Sequence, residues 1–249
     1  MHFVSPKPAA TAIQFVSLML SLGVLTGCQM AVGTASTAQV RIIDASPDAP
    51  TIDIYQAGTG LAHNLAFGTI TSYIPISPGA SIVTANTAGS RQVLTTAKTT
   101  YAVATQYTVL IGDAASNLQQ TVLVDQNQPA PAGQIALRVL DQTTSLNNAV
   151  DVYLVPAGES LTIVKPIATG MFFGSNSGYL TVPAGTYAIE LLPAGTVVSA
   201  ATVPLYTGAR ATYASGVART LLLLDQPMAT TPGPQVVVAD DFDPAESLN

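Results

Sequence analysis

Beyond residue 38 the chain alternates short apolar bursts with Thr, Ser, Gln, Gly and Pro. "VRIID", "TIDIY", "YTVLIG", "TVLVD", "YAIELL" and "TLLLLD" are rich in Val, Ile, Leu or Tyr and bounded by Gly, Pro, Asn or Asp. That combination predicts strands. In "TIDIY", Ile52 and Ile54 fall on one side and Asp53 and Tyr55 on the other, the two-residue period of a half-buried strand. Val150 and Val152 against Asp151 and Tyr153 repeat it. "SPGAS" and "PAGTY" read as turns, with Gly79 and Gly185 free to take positive φ. No long stretch with a 3.6-residue period follows residue 30. Short strands joined by turns predict an all-β chain of antiparallel β-sandwiches.

The strand pattern occurs twice. "VRIID" at 40–44 matches "LRVLD" at 137–141, and "IDIYQAG" at 52–58 matches "VDVYLVPAG" at 150–158. "FGTITSYIPISPG" at 67–79 matches "FGSNSGYLTVPAG" at 173–185. Further on, "ATQYTVLIG" at 104–112 is set against "RATYASGVA" at 210–218, and "VLVDQ" at 122–126 against "LLLLDQ" at 221–226. The reading is therefore two tandem domains, 39–128 and 134–241, joined by the stiff linker "PAPAG" at 129–133. Solenoid repeats are shorter, about 20–50 residues. "QVVVADDFD" at 235–243 looks like another copy of the opening strand, placed to close an edge of the second domain or to pack between the two. Residues 242–249 form an acidic tail. Tyr107 and Tyr213 precede strand-like runs and are tyrosine-corner candidates.

Composition narrows the function classes. Of 249 residues 48% are hydrophobic and 9% charged, with a mean hydropathy of +0.41. Soluble domains carry about 25% charged residues. A membrane helix needs about 20 apolar residues in a row, and none stands after residue 30. The net charge is −6, and Arg41, Arg91, Lys98, Arg138, Lys165, Arg210 and Arg219 are scattered singly. Phosphate backbones are gripped by clustered Lys and Arg, so nucleic acid is excluded as a partner.

"MHFVSPKPAATAIQFVSLMLSLGVLTGCQM" places Lys7 before an apolar stretch from about Ala12 to Leu25 and then small residues, the layout of a secretory signal over 1–27. "LTGC" at 25–28 resembles the bacterial lipobox. The resemblance implies cleavage before Cys28 and acylation of that residue, with the lipid bilayer as partner. Cys28 is the chain's one cysteine, which excludes a disulfide framework and cysteine-cluster zinc sites. Gln29 in place of Asp implies the outer membrane where the organism has one, otherwise the outer face of the cytoplasmic membrane. Residues 28–38 read as a flexible tether.

"VRIIDASPDAPTIDIY" followed by "FGTITSYIPISPG" resembles the DUF4397 family of bacterial envelope proteins, with Asp44 where the family often has His. The second copy keeps Arg138, Asp151, Tyr153, Phe173, Gly174, Tyr179 and Gly185 but carries "QTTSLNNA" in place of the Ser-Pro-Asp-Ala-Pro element. The resemblance implies immunoglobulin-like sandwiches at the cell envelope and brings no established activity. With no Trp and no cysteine pair, an antibody-type core is excluded.

Candidate chemistry is sparse. Asp44 and Asp48, with Asp53 nearby, are cation candidates, since hard cations take carboxylate and carbonyl oxygens. Turn chemistry accounts for the same residues: Pro47 fixes φ, Ser46 and Asp48 bond nearby amides, and Pro50 keeps Ala49 extended. Asp240, Asp241, Asp243 and Glu246 read as a solvated acidic run. His63 follows the signal alone, with no G-x-S-x-G elbow for a catalytic triad. Glu159 and Glu190 could serve a glycosidase only if brought about 5–10 Å apart. Tyr55, Tyr73, Tyr153 and Tyr179 form a set expected to be exposed, for binding or for cross-strand packing. The function expected is a lipid-anchored, non-enzymatic binding, adhesion or scaffolding protein of the cell envelope. It would need no cofactor and no metal, and its partner would be an envelope protein or polysaccharide. A carbohydrate-active hydrolase and a calcium-stabilised adhesin are the alternatives.

Overall fold

A computed structural model describes residues 1–2, 37–226 and 233–244. The first repeat forms β1 (Ala38–Asp44), β2 (Ile52–Gln56), β3 (Thr59–Leu65), β4 (Ile74–Ile76), β5 (Gly79–Thr87), β6 (Val93–Tyr101), β7 (Gln106–Gly112) and β8 (Gln119–Val124). The second forms β9 (Gln134–Asp141), β10 (Val150–Pro156), β11 (Ala168–Met171), β12 (Asn176–Pro183), β13 (Gly185–Pro193), β14 (Tyr206–Thr207), β15 (Ala211–Tyr213), β16 (Ala218–Asp225) and β17 (Pro234–Phe242). The helices among the described residues are single 3₁₀ turns at Ala115–Asn117 and Leu161–Ile163. The chain is all-β.

Each repeat is a pair of sheets. In the first, β4-β1-β7-β8 faces β3-β2-β5-β6; in the second, β12-β9-β16-β17 faces β11-β10-β13, with β14 and β15 both on β13. Two-residue alternation drives this packing. Val40, Ile42, Ile52, Ile54, Val83, Ala85, Val109 and Ile111 point into the first core. Leu137, Val139, Val150, Val152, Ile189, Leu191, Leu221 and Leu223 fill the second. The ladders are antiparallel except for one parallel pair in each repeat, β1 with β7 and β9 with β16. The expected antiparallel pairing thus holds for every ladder but these two. The chain leaves the first sheet after β1, builds the opposing sheet and returns, so β7 runs alongside β1.

Pairing also corrects the alignment of the repeats. Val40 pairs with Tyr107 and Leu137 with Arg219, so β16 is the counterpart of β7. Gly79 pairs with Tyr101 and Gly185 with Tyr213, so Tyr213 answers Tyr101 rather than Tyr107. The strand "QVVVADDF" is not another opening strand. It is β17, antiparallel to β16 as β8 is to β7. Apolar strands of similar composition and length cannot be told apart by motif alone; hydrogen-bond register separates them.

The shared motifs earn their residue types locally. Gly68 and Gly174 sit at φ +78° and +83°, a region glycine enters without penalty. Their amides donate to the carbonyls of Asp44 and Asp141, while Asp44 and Asp141 donate to the carbonyls of Thr69 and Ser175. Thr71 and Ser177 each accept an amide from the first strand, Ile42 or Val139, at 2.9 and 2.8 Å. Asp53 ties a positive-φ residue of β3 to the turn after β5 by accepting the amides of Asn64 and Gly89, and Asp151 does the same for β11 and the turn after β13 through Gly170 and Gly195. Those amides hold the Asp53 carboxyl below the usual range, Gly89 most and then Asn64. The carboxylates of "TIDIY" and "VDVYL" are turn staples.

Candidate functional site

The two β1-type sheets meet. Residues that alternate out of the cores of the repeats form a third apolar cluster of Ile43, Ala45, Leu110, Leu140, Leu222 and Leu224. Beside it the same alternation delivers charge. Arg41 and Arg138, each between two core-facing neighbours on β1 or β9, are 1% and 2% exposed. Scattered singly in the sequence, these two bases are brought together in the interior.

Each arginine is oriented by its own sandwich and hydrogen-bonded to a carboxylate of the other, and Arg41 Nε also lies 3.8 Å from Asp125 Oδ2 of its own sandwich. Arg41 Nε donates to Thr108 Oγ1 at 2.8 Å, and Arg138 Nε to Thr220 Oγ1 at 3.1 Å. These threonines sit opposite the arginines in the parallel ladders. Arg138 Nη2 donates to Asp125 Oδ1 of the first sandwich at 2.6 Å. Arg41 Nη2 donates to Asp241 Oδ1 of the second. Arg41 Nη1 reaches the carbonyl of Asp240 at 3.0 Å, and Arg138 Nη1 that of Val124 at 3.2 Å. The remaining carboxylate oxygens are satisfied at home. Asp125 Oδ2 accepts from Thr108 at 2.7 Å and Tyr73 at 2.8 Å; Asp241 Oδ2 accepts from Thr220 and Tyr179, both at 2.8 Å. The Arg41 guanidinium lies 5.2 Å from the Tyr73 ring centre and that of Arg138 4.8 Å from Tyr179, cation–π distances.

The result is a seam with pseudo-twofold symmetry, built from an Arg, Thr, Tyr and Asp on each side. Its two full positive charges meet two full negative charges, with hydrogen bonds for the spare lone pairs, as a buried ion pair requires. Burial lowers the affinity of Arg41 for its proton, but Asp241 and Asp125 outweigh it and hold the guanidinium above its ordinary value. Burial, followed by the carboxylates, pushes the phenols of Tyr73 and Tyr179 up, so both remain neutral donors.

The other candidate residues fall elsewhere. Asp44 Oδ1 accepts the Ser46 amide at 3.1 Å, and exposed Asp48 accepts the amide of Ala115 at 2.7 Å. Both thus serve backbone groups on separate loops. Burial raises the Asp44 carboxyl to about 6, with the Ser46 amide opposing. Its counterpart Asp141 is also raised by burial, and its Oδ2 has no partner. Among the described residues, no three His, Cys, Asp or Glu side chains gather as a metal cluster. His63 is exposed beside Asp53, 3.5 Å away. Glu159 lies in the turn after β10; Glu190 sits on β13, paired with Tyr153 and Thr207. Of the expected exposed tyrosines, Tyr153 is buried, Tyr73 and Tyr179 line the seam, and Tyr55 is half-buried on the outer side of β2. Asp241, expected in a solvated run, is 3% exposed, whereas Asp240 and Asp243 pair with Arg219. Tyr107 accepts the Ala102 amide through its hydroxyl at 2.8 Å. Cys28 lies outside the described residues, and Glu246 does too.

Cavities at the seam are small or shallow. One of about 60 Å³ is lined by Leu110, Gln119, Leu140, Gln142 and Phe173. It has room for ordered water but not for a substrate, whose pockets run to about 300–1,000 Å³. An open groove of about 350 Å³ runs past Thr71, Ser72, Tyr73 and Asp240.

Comparison with known sequences now bears on the motif-bearing half. Residues 38–153 match DUF4397, a domain of unknown function. The match takes in the whole first sandwich, then β9 and β10 as far as Tyr153. The DUF4397 match therefore includes Arg41, Tyr73, Thr108, Asp125 and Arg138 of the seam. No curated protein matches the sequence. Among solved structures, the Bacillus anthracis TIE protein is 10% identical, at a TM-score of 0.23, over 76% of this chain and 34% of that one. This chain thus spans about a third of the TIE protein. CBMbc, a family CBM26 module of Eubacterium rectale Amy13K solved with maltoheptaose, is 10% identical, at a TM-score of 0.26, over 84% of this chain and 98% of that one. Neither likeness bears on function.

Proposed function

We propose that this is a lipid-anchored, non-enzymatic envelope protein whose paired sandwiches form one stiff body presenting a binding face away from the seam. The observation that carries this reading is the fate of the chemically versatile side chains. Both buried arginines, their aspartates and the two seam tyrosines have each other as partners.

The face best suited to a partner is the outside of the β3-β2-β5-β6 sheet. Tyr55, Thr84 and Thr96 line up across its strands, with Ile82 and Lys98 in the next row and His63 edge-on to Tyr55. The corresponding face of the second sandwich is occupied by its own chain: Leu161, Val164 and Val198 cover Tyr153, Val155 and Leu192. An aromatic ring set among hydroxyls, with one cation, suits a polysaccharide or a polar protein surface. Lipidation of Cys28 would hold this body at the membrane, because several acyl chains anchor firmly where one binds marginally.

Co-purification from the native envelope tests the reading. A partner retained by the wild-type chain and lost with Tyr55→Ala and Lys98→Ala supports it. Polysaccharide turnover abolished by Glu159→Gln or Glu190→Gln would replace it with a hydrolase. Cys28→Ser is expected to shift the protein from the membrane to the soluble fraction and change its mature mass; unchanged fractionation contradicts the anchor.

A further inference from the structure

The seam is self-complementary. Each sandwich offers the same four groups at matching positions of matching strands: Arg41, Thr108, Tyr73 and Asp125 on one, Arg138, Thr220, Tyr179 and Asp241 on the other. Each arginine takes its carboxylate from the opposite side. This is the arrangement of an isologous dimer interface, here made within one chain.

We propose that the seam is a self-recognition surface whose second partner is another copy of this chain, the first sandwich of one copy pairing with the second sandwich of the other. Such an exchanged pair keeps every seam contact of the monomer and alters only the connection between sandwiches. That connection is short and has a natural hinge. Ala130 and Gly133 are bonded to the second sandwich at Gly216 and Ser215, whereas Asn127 bonds back to Ala104 of the first. The Gln126 amide is itself a seam contact, donating to the Tyr179 hydroxyl, so the hinge falls at Gln128 and Pro129. Short hinges joining self-complementary units favour exchange. In dilute solution the tether keeps the internal partner at an effective concentration of about millimolar, so the closed monomer wins. Chains confined side by side on a membrane approach that concentration, and exchange then links neighbours.

Two full-chain variants that fail separately test the idea when combined. Arg41→Asp sets like charges against each other on one side of the internal seam, and Asp241→Arg does so with the opposite sign. Neither clash is relieved by exchange between identical chains. Exchange between the two different variants creates one seam of wild-type residues and one in which the introduced aspartate meets the introduced arginine. Co-expressed with a tag on one chain, the two variants are expected to co-purify 1:1 at twice the monomer mass by light scattering. Each variant alone gives no such species, and the wild-type chain runs as a monomer at the same concentration. Two variants that stay apart, or that stay insoluble together as they do singly, overturn the proposal. The chain carrying both substitutions serves as the control for folding and is expected to be monomeric.

Discussion

A buried carboxylate and an exposed one in this protein sit one residue apart in β17, and their consequences differ. Asp241 is closed off between Arg41, Thr220 and Tyr179, whereas the side chain of Asp240 is 71% exposed against Arg219. Removing one member of a buried pair strands the other charge, at about 3–5 kcal/mol, while an exposed pair is worth about 0–1 kcal/mol. Asp241→Ala and its counterpart Asp125→Ala are therefore expected to lower stability by about 3–5 kcal/mol in urea unfolding, and Asp240→Ala by less than about 1 kcal/mol. Equal effects would contradict the assignment of the seam. Asp44 behaves differently, because no cation faces it. Its carboxyl titrates near 6 in the folded chain against 3.8 for the free group. The folded state carries no penalty below pH about 4, then loses stability as the pH rises through 6 and a buried carboxylate must ionise. Asp44→Asn keeps an oxygen for the Ser46 amide. It is expected to raise the urea midpoint at pH 8 and leave it unchanged at pH 4. None of this residue-scale chemistry was legible in the sequence. Arg41 and Asp241 are 200 residues apart, and a lone arginine in a strand looks the same whether its outward face meets water or another sheet.

The strands were legible, and so were the glycine turns. "TIDIY" and "VDVYL" declare their period in their own residues, and Ile52, Ile54, Val150 and Val152 all reach the cores. What composition could not supply was partnership. "TLLLLD" resembles "VLVDQ" in content yet pairs like "YTVLIG", because a strand's neighbour is chosen by the path of the chain through two sheets rather than by its residues. The Phe-Gly turns illustrate an element whose logic is local. A Cβ at Gly68 or Gly174 meets nothing within 4 Å, so the cost of alanine there is one of backbone conformation alone. Gly68→Ala and Gly174→Ala are each expected to cost about 1–2 kcal/mol, with asparagine better tolerated. A cost near zero would show that these turns can relax without the reciprocal bonds to Asp44 or Asp141. Asp53 and Asp151 act at the same scale, each pinning an edge strand to a turn. The sequence placed both on the outer side of their strands and gave no sign of the amides that await them.

For the molecule as a whole, duplication has been converted into cohesion. Two separate apolar cores would by themselves allow two sandwiches to unfold one after the other. The leucine cluster between them and the cross-paired charges join their fates, since opening the seam exposes Ile43, Leu140 and Leu222 together with four charges. A buried ionic network adds little net stability over an apolar one, but it penalises every misaligned docking, so its contribution is to register. Differential scanning calorimetry of the chain from residue 30 onward measures this coupling most directly. One transition is expected, with calorimetric and van't Hoff enthalpies equal for the whole chain, splitting in two on Asp125→Ala. Two resolved transitions in the wild-type protein would contradict the account, because the sandwiches would then be neighbours on a string rather than one body.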